Sequence, residues 1–198
     1  MNYLAHAFLS FSDEQLVGNM MADFIRNRER YLYPAEIQKG IALHREIDSY
    51  TDAHAEIREA KKNFKPIVGL YAGAFVDVSF DYFLAEKLAE NQWDFKRFTQ
   101  KTYRTLFRFS EILPKNFRAV LENMAKNDWL FNYQTEKGIF YSFQNVLNKA
   151  KYLDSQLPVF EAFTENKVQL RQHFVNFFPE LQLHAENFAK KWNGWQKN

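Results

Sequence analysis

The stretch 40–52, GIALHREIDSYTD, carries His44, Asp48 and Asp52 at successive i, i+4 steps. At about 100° per residue on a helix they fall within roughly 80° of arc. Ile37, Ile41 and Ile47 lie on the same side, so the charged groups point where a core should be. Three other segments repeat the pattern. Asn2 and His6 are spaced i, i+4 in NYLAHAFLSF, Asn19 and Asp23 in GNMMADF, and Asp77 and Asp81 in AFVDVSFDYFL. An ionised carboxylate in apolar surroundings is costly unless it is paired or metal-bound. Two of them one helical turn apart also repel. Lys and Arg are absent from 66–86, so the compensating charge must come from elsewhere: Arg45, Arg26, His44 or a divalent metal.

Each position also has a purely structural reading. His6 can be a hydrogen-bonded core histidine, and Asp77 and Asp81 an internal ion-pair network. Asp52 can start the helix that begins near His54, and Asp13 and Asp94 read as helix-start residues. His54, His173 and His184 sit in polar or mixed segments and read as surface or packing residues. A shared site is the better reading for Asp23, His44, Asp48 and Asp77, because buried carboxylates from three separate helices are otherwise hard to explain.

Oxygen ligands with one or two imidazoles suit Mn²⁺, Mg²⁺ or another hard-to-borderline divalent ion. Such an ion can activate water and neutralise a phosphoryl oxygen. Arg45, beside His44, can clamp a phosphate bidentately. The reaction class is metal-assisted phosphoester hydrolysis. The chain has no Cys, which removes disulfides, thiolate nucleophiles and Cys-ligated zinc. No GxSxG or P-loop motif is present.

The elements that must position these residues are helical. The 198 residues include 21 Phe, 10 Tyr and 4 Trp but only 6 Gly, fewer than the tight turns of a strand-rich protein would need. Helices are expected over 2–11, 13–26, from Pro34 to about Tyr50, 54–63, 68–89, 94–110, 115–127, 134–153, 158–176 and 180–193, with Pro158 and Pro179 near starts. The segment 68–89 is apolar on nearly every face, as a central helix would be. We expect an all-α bundle of about eight helices in a single domain, 1–198. No signal-peptide pattern is present, and no window reads as a membrane span. The net charge of +2 is too small to imply nucleic acid. The basic tail KKWNGWQKN reads as a solvated end.

MNYLAHAFLS, GNMMADFIR, GIALHREIDSYTD and VDVSFDYFLA, with WLFNY, FQNVLNKA and FFPEL further on, resemble the acyl carrier protein phosphodiesterases in order and spacing. The resemblance covers almost the whole chain. It implies a cytoplasmic, all-helical enzyme distantly similar to the HD phosphohydrolases. Such an enzyme removes the 4′-phosphopantetheine arm from holo-acyl carrier protein with a divalent cation, preferably Mn²⁺. From the charge and the lack of a membrane-length window, no nucleic-acid or membrane partner is expected. The HD signature contains a His-Asp pair, whereas His44 is followed by Arg45. Carried over are Asp23, His44 and Asp77 as metal ligands, Asp81 as a further ligand, and Asp48, Arg45 and His6 as catalytic residues. Tyr82 stands where many relatives are expected to carry histidine. The alternatives are a phosphohydrolase of a small nucleotide or phosphoester, or a non-catalytic carrier-protein binding module. Acyl carrier protein is acidic. The helical row Arg97, Lys101, Arg104 and Arg108, beside Lys96, is either its docking face or an ordinary solvated face.

Overall fold

The structure, a computed structural model, describes residues 1–90 and 94–194; the last four residues of the basic tail lie outside them. The described chain forms helices α1 (Tyr3–Phe8), α2 (Asp13–Met21), α3 (Ala35–Ala53), α4 (Ala55–Lys61), α5 (Lys65–Val68), α6 (Ala72–Glu90), α7 (Phe95–Arg108), α8 (Lys115–Lys126), α9 (Trp129–Asn132), α10 (Glu136–Lys149), α11 (Val159–Glu165) and α12 (Lys167–Gly194). Four short 3₁₀ segments join them, and no strand occurs among the described residues. The all-α expectation holds. The count of about eight becomes twelve because short helical pieces separate at backbone breaks. Gly69, at φ 55°, ends α5, and Asp128, at φ 47°, sets off the four-residue α9.

Two boundaries differ from expectation in ways that matter. The helix expected over 13–26 ends as α-helix at Met21 and tightens into a 3₁₀ turn, Ala22–Phe24, before Ile25 turns extended. Asp23 therefore projects from a turn rather than from a continuing helix face. Pro179 lies inside α12 and does not start a helix. The carbonyl it leaves unbonded belongs to Val175, which is 54% exposed, so water can satisfy it.

Helix α6 is the axis of the core. Every residue from Val78 to Ala85 is buried. Within 65–90 an 18-residue window reaches a mean hydropathy of 1.4, enough by length and composition for a membrane span, contrary to the reading of the sequence alone. In the fold it is the core helix, wrapped by α1, α4, α10 and α12. Phenylalanine rings run through this core in an unbroken chain. Phe64 meets Phe75 at 5.8 Å between centroids, Phe75 meets Phe143 at 5.6 Å, and Phe143 meets Phe163 at 5.6 Å. Such pairs add about 0.5–1.5 kcal/mol each beyond area burial.

Helices α2 and α3 touch backbone to backbone. A Cβ on Gly18 would lie 2.1 Å from the Ile37 carbonyl oxygen, and one on Gly40 would lie 2.2 Å from that of Gln15. Only glycine permits this approach. It fixes the end of α2, with Asn19 and the Asp23 turn, against the middle of α3, where His44 and Asp48 lie.

Candidate metal centre

Helix α1 has only six residues, and Asn2 makes no capping bond to it. The cap comes from α6. Asp81 accepts from the backbone N–H of Leu4 at 2.7 Å through Oδ2 and from that of Ala5 at 3.1 Å through Oδ1. Its side chain is fully buried, and burial pushes its pKa up to about 7. Asp81, expected as a metal ligand, has both oxygens engaged in seating α1 on the core. That seating delivers His6.

His6 Nδ1 lies 2.7 Å from Asn19 Oδ1. The Asn19 amide nitrogen donates to the His6 carbonyl at 2.9 Å and to Ser10 Oγ at 3.1 Å, so its oxygen end must face the ring. Nδ1 therefore carries the proton, and Nε2 presents a lone pair. Burial, reinforced by the charge of His44, lowers the His6 pKa to about 4 and keeps the ring neutral. The lone pair faces Asp48 Oδ1 at 3.2 Å and the Met1 carbonyl oxygen at 3.2 Å. His6 Nε2 brings no proton to either oxygen, so the three acceptors repel, and a cation between them would remove that repulsion. The Met1 amine lies 3.4 Å from both Asp48 Oδ1 and Asp77 Oδ1 and supplies positive charge here.

Asp48 bridges two imidazoles. Its Oδ2 lies 3.1 Å from His44 Nε2, which also meets Asp23 Oδ1 at 3.1 Å. Burial opposes charge on His44, but the two carboxylates outweigh it and hold its pKa up at about 9. Burial also works against the Asp48 carboxylate, yet the hydrogen bond from His44 and the charge of the Met1 amine hold its pKa well below the usual range. The hydrogen bond from His44 lowers that of Asp23, and burial raises that of Asp77. The buried His44 Nδ1 has no partner. One ligand atom each from His6, His44 and Asp48 lies within 4.8 Å of the others, so the cluster can hold a metal ion. Asp48 remains 40% exposed and Asp23 74%, so the cluster opens to solvent on its carboxylate side.

The remaining candidates fall around this group. Asp77 reaches it through the Met1 amine. Arg45 turns to the rim, where its Nη1 donates to Asn27 Oδ1 at 2.6 Å. Asp52 neither enters the cluster nor caps α4; it pairs with Lys61 at 3.3 Å, and His54 is the cap. Tyr82 points away, its hydroxyl 2.5 Å from both Glu86 Oε1 and Lys167 Nζ. His54, His173 and His184 tie α12 to α3 and α4 through Glu180, Glu56 and Glu46. A hollow of about 560 Å³ between α8 and α10 is lined by Asn123, Asn127, Trp129 and Asn132 among others, with no residue of the cluster in its wall. Sequence reasoning placed Asn19 on the face of Asp23 but gave it no role. Its signal was an amide at a buried helical position. The Met1 carbonyl had no side-chain signal at all.

An all-helical scaffold presenting two imidazoles and several carboxylates at a solvent opening defines a class of protein whose site is compatible with a divalent cation. The comparisons narrow that class. Residues 1–181 match the acyl carrier protein phosphodiesterase family, and the chain belongs to it. Its curated relatives are named acyl carrier protein phosphodiesterase, a phosphoric diester hydrolase. An acyl carrier protein phosphodiesterase of Klebsiella pneumoniae (strain 342) is 32% identical over 193 residues, covering 94% of this chain and 98% of that protein. One from Klebsiella pneumoniae subsp. pneumoniae is 34% identical over 197 residues, with the same coverage. One from Salmonella agona is 28% identical over 192 residues, covering 96% and 100%. No solved structure matches the chain.

Proposed function

We propose that the protein is a divalent-metal-dependent, cytoplasmic phosphodiesterase. In this reading it hydrolyses the bond between 4′-phosphopantetheine and the serine of holo-acyl carrier protein, leaving the apo form. The names of the relatives support the substrate. One observation carries the chemistry: one ligand atom each from His6, His44 and Asp48 lies within 4.8 Å of the others, with the Met1 carbonyl 3.2 Å from His6 Nε2. Mixed nitrogen and oxygen donors without sulfur suit Mn²⁺ among the divalent ions.

In this reading His6 Nε2, Asp48 and His44 Nε2 hold the ion, with Asp77 behind the Met1 amine. When bound, the ion supplies a Lewis acid and lowers the pKa of water. Asp23, exposed and 3.1 Å from His44 Nε2 at the edge of the ion site, accepts the proton of the attacking water. Water oxygen bonds to phosphorus as the bond from phosphorus to the serine oxygen breaks. The serine leaves as a hydroxyl, taking up the proton that Asp23 accepted from the water. Arg45 exchanges Asn27 for the phosphoryl oxygens and offsets their growing charge. Incubation with holo-acyl carrier protein and Mn²⁺, read by mass, tests this. Loss of the arm is expected. An unchanged carrier protein alongside turnover of a generic phosphodiester contradicts it.

A further inference from the structure

The 3₁₀ segment Asn27–Leu32, NRERYL, begins four residues after Asp23 and buries none of its residues. It is nonetheless firmly held. Glu29 Oε2 accepts from the Arg26 N–H at 2.7 Å, Arg45 donates to Asn27, and Gln38 Nε2 donates to the Tyr33 carbonyl at 2.8 Å. The segment is thus tied to α3, at Arg45 one residue past His44. Its one carboxylate, Glu29, is occupied by that backbone amide. Arg26 and Arg28 are exposed beside it, and Arg30 lies over the Tyr31 ring at 4.6 Å. Tyr31 is 65% exposed and Leu32 83%. Such arginine and tyrosine side chains, ordered but unused by the fold, match the composition of interface centres, and Leu32 adds exposed apolar area beside them.

The scissile bond supplies the second constraint. It joins phosphorus directly to a serine oxygen, and a serine side chain is short. The body of the substrate protein must therefore come within about a side chain's reach of the cluster, and its contact surface must adjoin the opening. The segment 26–32 meets this condition. Helix α7 does not: Arg108 joins it to Asp13 in the first turn of α2. That turn is the end of α2 remote from Asp23, about 14 Å along a nine-residue helix. Lys96 of α7 is also paired, with Asp128.

We infer that Arg26, Arg28, Arg30, Tyr31 and Leu32 form the docking face for an acidic surface of the protein substrate. The arginines meet carboxylates of the partner while Leu32 and Tyr31 seat against its apolar surface. This rests on the carrier-protein reading above. The test is steady-state kinetics with holo-acyl carrier protein and Mn²⁺ for the wild type, the Arg28→Glu/Arg30→Glu double variant, Leu32→Asp, and Arg97→Glu/Arg104→Glu on α7. Because the segment buries nothing, the variants should fold, and unchanged Mn²⁺ affinity verifies this. KM is expected to rise about tenfold or more for the two segment variants, with kcat at saturation retained. Salt should raise the wild-type KM steeply and that of the double variant only slightly. Unchanged KM in the segment variants, or a rise confined to the α7 variant, overturns the docking face while leaving the carrier-protein reading intact. A wild type that releases no arm overturns that reading and the docking face with it.

Discussion

The imidazoles of His6 and His44 lie face to face, their centroids 4.1 Å apart and their planes 18° from parallel. They are driven to opposite protonation states. Burial and its charged neighbour keep His6 neutral, with a pKa lowered to about 4, whereas Asp23 and Asp48 hold that of His44 up at about 9. The stack thus presents one lone pair ready for a cation and one proton that a cation must displace.

Metal binding should release that proton. A ligand must be deprotonated to bind, so apparent Mn²⁺ affinity is expected to rise with pH until about 9, where His44 loses its proton unaided. Calorimetry in buffers of different ionisation enthalpy measures the release. About one proton per metal at pH 7.5 is expected, and pH-independent binding with no release contradicts this role for His44. Without metal the sign reverses. The raised pKa of His44 stabilises the fold fully below its unfolded value of about 6.5, and this contribution disappears as pH rises through about 9.

Asn19 sets the tautomer of His6. Replacing it with Ala removes the acceptor for Nδ1–H, and metal affinity should fall about 10–100-fold. Nitrogen NMR of labelled histidine reads the tautomer directly. Wild-type His6 should show its proton on Nδ1, and Asn19→Ala a mixture. A proton on Nε2 in the wild type refutes the assignment.

Asp81 is assigned to holding α1, and Asp81→Asn separates this role from ligation. The amide still accepts one backbone N–H, so the variant should bind Mn²⁺ with near-normal affinity while losing about 1–3 kcal/mol for the other, unpaired N–H. Because the Asp81 pKa is raised to about 7, the folded state takes up a proton between about pH 4 and 7. Stability from this group therefore falls as pH rises through that window. The Tm gap between wild type and Asp81→Asn should narrow from pH 5 to pH 8. Loss of metal binding with unchanged Tm would return Asp81 to the ligand set.

Gly18→Ala and Gly40→Ala each place a methyl group inside a backbone carbonyl of the facing helix. Each should destabilise by about 1–3 kcal/mol through forced separation of α2 and α3. Mn²⁺ affinity should drop as well, since Asn19 and Asp23 sit on one side of that contact and His44 and Asp48 on the other. Thermal melts with and without metal measure both effects. Variants with wild-type melts would show that the helices do not touch as described.

Much of this was legible in local spacing. His44 and Asp48 share a face because i, i+4 residues on any helix do, and α6 is central because its apolar residues leave no polar face. What spacing cannot show is where a carboxylate spends its oxygens. Asp48 and Asp81 look alike in the sequence, each an acid among apolar neighbours. One faces two imidazoles, and the other caps a helix distant in the chain. The meeting of His6 with Asp48 depends on that cap and on the glycine contact between α2 and α3, both long-range. The Asp23 turn was missed because its residue pattern suits α-helix as well as 3₁₀. Pro179 within α12 was missed because a proline on an exposed face removes little that water cannot replace.

Anomalous diffraction at the manganese edge, on crystals equilibrated with Mn²⁺, reaches the central claim most directly. A single strong peak touching both His6 Nε2 and Asp48 Oδ1, with the Met1 amine displaced from Asp48, is the expected result. A saturated, active enzyme with its peak elsewhere and His6 still facing Asp48 would contradict it.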